Sequence, residues 1–249
     1  MPAGSITGTV SHYPTLRNHM EKEHIIKQYD AELNAIRAKL LEMGGKVEEM
    51  IGAAIKALVE RDSDLARKTI AMDHEINHLE MEIDENCLQV LALRQPAARD
   101  LRFITLALKI VTDLERIGDQ CTSVAKRVVE LNEEPPLKPY IDLPRMAKAA
   151  GTMVKEALDA FVRGDEALAL KVCRDDNIVD HLNEQIQREL LTFMLEDPGT
   201  ISRALRLNYI SKYLERIADH ATNVAEMVIF MLKGKDIRHM APPSSPEIA

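Results

Sequence analysis

Two stretches of this 249-residue chain, LERIGD at Leu114–Asp119 and LERIAD at Leu214–Asp219, each set a glutamate four residues before an aspartate. On a helix Glu115 and Asp119, and likewise Glu215 and Asp219, stand one above the other on the same face. Like charges so placed repel by roughly 0.2–0.5 kcal/mol. A small residue, Gly118 or Ala218, lies between each pair, and Thr122 or Thr222 follows one turn on. A second acid set lies upstream. Asp73 sits three residues after Ile70 and three before Ile76, and Asp176 sits between Val172 and Val179. Both fall on or beside an apolar seam, where a carboxylate must be paired, protonated or bound to a cation. Asn77 and Asp180 follow one turn later. If the helices that carry them pack side by side, Asp176, Asp180, Glu215 and Asp219 converge. Such hard oxygen donors suit Mg, Mn, Ca or ferric iron better than a soft metal. The competing reading is a solvated acidic face, neutralised by Arg116 and Arg216. Spacing alone leaves the two open.

Other chemistry is weaker. His220 adjoins Asp219, but Gln120 holds the matching place, and His78 and His181 read as surface residues. Glu21–His24 and Glu75–His78 have the Glu-x-x-His spacing of di-iron bundles, which also need two further glutamates facing inward. A metal-dependent oxidase is one alternative on that ground, and a purely structural helical scaffold is another. There is no Gly-rich phosphate loop and no nucleophile motif. Cys87, Cys121 and Cys173 form no Cys-x-x-Cys pair and read as small buried groups in a reducing compartment.

The elements that must hold these residues are long helices. Breakers are scarce, with 10 Gly and 11 Pro, and the Pro residues cluster. Apolar residues at Leu33, Ile36, Leu40, Met43, Val47, Met50, Ala54 and Leu58 alternate steps of three and four, the seam of a packed helix. Gly44 and Gly45 lie within it and suggest close packing. Asp62 or Ser63 is a candidate N-cap for the next helix, which Pro96 ends. A third seam runs from Ile104 to Val128. After the linker NEEPPLKPYIDLP the pattern restarts and gives three more helices, the last from about Ile201 to Lys233. DHEINHLEMEI (Asp73–Ile83) aligns with DNIVDHLNEQI (Asp176–Ile186), and the two LERI motifs share five of six residues, which marks a duplication. The expected fold is all-α, two tandem homologous three-helix bundles of six long helices. The expected organisation is a disordered segment over 1–18, a first bundle over 19–133, a linker over 134–142, a second bundle over 143–234 and a flexible tail over 235–249.

Net charge is −8, so no basic excess exists to neutralise nucleic acid. No secretory leader and no stretch long enough to span a bilayer is evident. A cytoplasmic protein is expected.

DLRFITLALKIVTDLERIGDQ and YLERIADHATNVAE resemble the two repeats of the PhoU family of bacterial phosphate-uptake regulators, and the resemblance runs from about Met20 to Lys233. It implies paired three-helix bundles, a cytoplasmic protein that is often a homodimer, and no catalysis. It implies control of the high-affinity phosphate transporter through its ATPase subunit, and restraint of a phosphate-sensing histidine kinase when phosphate is plentiful. Any membrane association would come through those partners. It further implies that the acidic motifs bind divalent or trivalent ions, among Mg, Mn, Fe or Zn. The motif positions here are Glu115, Asp119, Glu215 and Asp219, with Asp73, Asp176 and Asp180 in support. Gln120, Ser123, Lys126 and Asn77 stand where the second unit has His220, Asn223, Glu226 and Asp180, so the first site is expected to be poorer in anionic ligands and to bind metal more weakly.

Overall fold

The computed structural model describes residues 14–233, with side chains from Lys27 onward. Six α-helices account for nearly all of them: α1 (Pro14–Glu60), α2 (Ser63–Arg94), α3 (Ala98–Asn132), α4 (Asp142–Arg163), α5 (Glu166–Glu196) and α6 (Ile201–Lys233). No strand occurs among the described residues. The fold is all-α with two three-helix units, as expected. The first helix reaches back to Pro14, so residues 14–18 of the segment expected to be disordered are helical. The rest of that segment, and the tail after Lys233, lie outside the described residues. α1 has 47 residues, about 70 Å at 1.5 Å per residue.

The seams predict the core. Every residue from Leu33 to Leu58 in the α1 seam is buried, as are Leu207, Ile210, Leu214, Ile217, Ala221, Val224 and Val228 on α6. Gly44 is where α1 meets α4: a Cβ there would lie 2.1 Å from Leu158 Cδ1. Gly45 faces open space and carries no such constraint.

The duplication is legible in the local chemistry. Asp62 Oδ1 accepts from the backbone of Asp64 and Leu65, both at 2.9 Å, and caps α2. Asp165 Oδ1 accepts from Leu168 N at 3.0 Å and caps α5. Each cap follows a residue in the left-handed region, Arg61 (φ 57) in the first unit and Gly164 (φ 66) in the second. Arginine is disfavoured in that conformation. Its guanidinium donates to the carbonyls of Asn132 and Glu134 and so satisfies the end of α3.

Within each unit the helices run up, down and up. The units join through α3 against α6 and α1 against α4. Both pairings are antiparallel. Arg206 near the start of α6 meets Glu130 near the end of α3 at 3.2 Å, and His220 meets Asp113 at mid-helix at 2.8 Å. Antiparallel pairing of equivalent helices relates the units by an approximate two-fold axis. Four helices (α1, α3, α4 and α6) therefore form the centre, with α2 and α5 as outer flanks.

Candidate metal centres

The acids stand in the groove between the second and third helix of each unit. In the first, the Thr122 hydroxyl donates to Asp73 Oδ1 at 3.4 Å across the α2–α3 groove. In the second, Thr222 stands beside Asp176 across the α5–α6 groove. The repeat thus places the same partners together twice, which requires only that an outer helix pack against its neighbour through the seams Ile76–Leu79–Ile83 and Val179–Leu182–Ile186.

The second cluster brings together the four carboxylates that spacing suggested. Burial pushes the Asp176 carboxyl up to about 6, and the charges of Asp180, Asp219 and Glu215 add to it. Burial also raises Asp180, with Glu215 the next cause and Lys212 opposing. Asp219, the one exposed member of the four, is raised by desolvation first, then by Glu215 and Asp180. Asp176 Oδ1 and Asn183 Oδ1 are buried with no hydrogen-bond partner among the described residues. Glu215 pairs with Lys212 on its own helix. Arg216, expected as a neutralising partner, is exposed and makes no ion pair among the described residues.

The first cluster is built differently. Arg116 does lie near both acids, 3.6 Å from Glu115 and 3.9 Å from Asp119. Asp73 is held by Asn77 Nδ2 at 3.2 Å as well as by Thr122. Burial raises Glu115, with Asp119 the next cause and Asp73 also contributing. Glu80, which spacing does not single out, joins this group: burial raises it first, then the charges of Glu115, Asp84 and Asp119. Its equivalent in the second unit is Asn183. The missing acid at Asn77 is therefore made up one turn further along α2, and the first cluster is not poorer in carboxylates. A signal does exist in the sequence, since Asp73 and Glu80 are seven residues apart and share a face. The repeat masks it, because Asn183 stands in the matching place.

His220 makes its hydrogen bond outside the clusters, though its charge opposes the rise of both Glu115 and Asp219. Its Nδ1 faces Asp113 Oδ1 at 2.8 Å and ties α6 to α3. Glu75 and His78 are exposed, Glu75 paired with Lys46 and His78 lying 3.5 Å from Glu82. They face away from the bundle interior that a di-iron site needs. Glu21 and His24 lie where side chains are not described. Cys87 and Cys121 are buried and Cys173 is half-buried, and burial raises all three thiols.

As the side chains stand, no three His, Cys, Asp or Glu among the described residues are gathered tightly enough to hold an ion. Ligation would need the carboxylates to swing inward. The donor set fits a hard cation in kind: carboxylates only, mutually repelling, with buried acceptors left over in the second cluster. No helix of the described residues is long and apolar enough to cross a membrane.

The PhoU domain model matches the chain twice, over residues 40–128 and 143–228. The chain is 46% identical over 218 residues to a phosphate-specific transport system accessory protein PhoU homolog of Pseudomonas putida, covering 87% of this chain and 85% of that protein. It is 37% identical to the Escherichia coli K12 accessory protein PhoU, with 88% and 90% covered. The crystal structure of PhoU from Pseudomonas aeruginosa superposes with a TM-score of 0.80 at 46% identity, covering 83% of this chain and all of that one. The phosphate transport system regulatory protein PhoU of Streptococcus pneumoniae superposes with a TM-score of 0.77 at 29% identity, covering 84% and 98%.

Proposed function

Since this chain belongs to the PhoU family of phosphate transport accessory proteins, we propose that it is a non-catalytic cytoplasmic adaptor that modulates the high-affinity phosphate transporter. It acts on the transporter's ATPase subunit and holds a phosphate-sensing histidine kinase inactive when phosphate is plentiful. In this reading it works as a homodimer and meets the membrane only through those partners. The observation that carries the reading is the duplicated domain, matched along nearly the whole length of proteins named for phosphate-specific transport.

The acidic grooves are the metal-binding part of the proposal. Asp176, Asp180, Glu215 and Asp219 would hold an ion in the second unit, and Asp73, Glu80, Glu115 and Asp119 in the first. A bound Mg, Mn, Fe or Zn ion would supply positive charge where the carboxylates repel. The raised Asp176 and the orphaned acceptors support this reading, because both describe a cluster whose own residues leave it under-neutralised.

Two measurements test the two parts separately. Deleting the gene should make alkaline phosphatase output constitutive in phosphate-rich medium; unchanged output would remove the regulatory reading. Glu215→Gln with Asp219→Asn should lower the metal content retained after dialysis against Mn or Fe and, in chelator, leave stability equal or higher, since repulsion is removed. Unchanged metal content would leave only a solvated acidic face.

A further inference from the structure

At the end of the molecule where α4 and α6 finish and α3 begins, a cavity of about 290 Å³ is lined by Arg37, Arg99, Arg102 and Arg163. Its apolar wall is the ring pair Phe103–Phe161, stacked with centroids 5.2 Å apart. In a chain of net charge −8, four guanidiniums around one cavity need an explanation. Asp100 is the single carboxylate among the lining residues, and its Oδ2 already accepts from the Tyr29 hydroxyl at 2.9 Å. Arg37, Arg99 and Arg102 make no ion pair among the described residues, and Arg163 reaches only Asp159 on its own helix, at 3.5 Å.

The arginines are also partly pre-positioned. The Arg37 guanidinium lies 4.4 Å above the Phe103 ring centroid, with one nitrogen donating to Asn34 Oδ1 at 2.9 Å. Arg102 Nε donates back to the Ala98 carbonyl at 3.3 Å. Each guanidinium has five N–H donors, so most remain free. A fork that is already held loses less freedom when it closes on a ligand. Guanidinium forks arriving from three separate helices suit an anion with oxygens on several sides. A phosphoryl group offers that, whereas a carboxylate presents two oxygens in one plane.

We propose that this cavity is a binding site for a small phosphorylated anion, independent of the acidic grooves and of any metal they hold. The shared chemistry is the phosphoryl group. The sources to separate are inorganic phosphate, a polyphosphate and a nucleotide, whose base could lie against the phenylalanine wall.

The test is calorimetric titration of the full chain, in EDTA so that no metal bridges an anion to the acidic grooves, with inorganic phosphate, tripolyphosphate and ATP in turn. Binding of at least one of these anions is expected, and Arg99→Gln with Arg102→Gln should weaken it about tenfold or more, the loss of one charge-assisted hydrogen bond or more. Both side chains are exposed, so the variant should keep its thermal midpoint. Arg116→Gln, on the acidic face, should leave binding unchanged. Tripolyphosphate binding tighter than phosphate supports several phosphoryl subsites, and ATP binding tighter than tripolyphosphate adds the base. Absence of binding by all three up to about 1 mM, an affinity of about 4 kcal/mol, overturns the proposal. So does binding that the double substitution leaves intact. Neither result bears on the phosphatase or metal-content tests above.

Discussion

In metal-free protein Asp176 ionises only against burial and three neighbouring charges, so its proton is held more tightly in the folded chain than in the unfolded one. Its folded value of about 6 lies above the ordinary 3.8. The folded state therefore binds more protons between those values, and stability falls as pH rises through the window, then levels above it. A rise of that size in proton affinity corresponds to at most about 3 kcal/mol. In chelator, the unfolding midpoint in urea should decline from pH 4 to pH 7 through this group. Asp176→Asn should flatten that decline and raise stability at pH 7; a variant with the parent's pH profile would show that Asp176 does not feel its neighbours. Glu80 gives the matching prediction for the first cluster. In a Glu215→Gln/Asp219→Asn background, Glu80→Gln should weaken the remaining Mn uptake, read by the loss of the free-ion resonance during titration. Much at this scale is legible in the sequence. The i, i+4 acids shared by the two units and the seam aspartates stand out by spacing, whereas Glu80 does not, because Asn183 stands in its place in the second unit and Glu115 and Asp119 reach it from another helix. The Arg37–Arg163 cavity is equally invisible there: it assembles from the ends of three helices and the flank of a fourth, and no local pattern records that.

Between elements, closeness is set by small groups. A Cβ on Gly118 would lie 3.2 Å from Ile76 Cγ2, tighter than ordinary contact. At the equivalent places the second unit carries Ala218 and Val179, so one carbon has been moved from one helix to the other. Gly118→Ala should gain about 1 kcal/mol of helix propensity and lose more to strain, because Ile76 is fully buried and stiff at its branch. The expected net cost is roughly 1 kcal/mol. Adding Ile76→Val should recover much of it, since the shorter side chain can retreat, and a double-mutant cycle in urea would show favourable coupling. Equal and additive losses would mean the contact is slack. Apart from the start of α1, which lies at Pro14 and not after residue 18, the helix boundaries are readable to within a residue or two, because caps such as Asp62 and breakers such as Pro96 act locally. Which helices become neighbours is less so. The central grouping of α1, α3, α4 and α6 follows from antiparallel docking of the two units, which neither half's periodicity specifies.

At the scale of the molecule, acids collect in two grooves beside α3 and α6, and four arginines line one cavity at the end where α3 begins, while Arg61, Arg127, Arg203 and Arg206 at the opposite end are tied to carbonyls or to Glu130 and Glu134. The joint between the units is polar at its margins and apolar within. Arg206 reaches both Glu130 and Glu134, Arg127 lies 5.5 Å over the Tyr209 ring, and His220 meets Asp113. Gln120 and Tyr213 occupy the places related to His220 and Asp113 by the approximate axis, so the two halves are alike but not interchangeable. That axis has a bearing on assembly stoichiometry. One chain displays the same acidic pattern twice, turned by half a revolution, and so carries within itself the symmetry that other proteins reach by pairing two copies. A homodimeric target can then be gripped by both its protomers through a single molecule of this protein. The second contact forms at the millimolar effective concentration that a rigid link supplies. Native mass spectrometry of such a complex should find one chain per target dimer, so that a homodimer of this protein joins two target dimers; two chains on each target dimer would show that the halves have diverged beyond shared recognition.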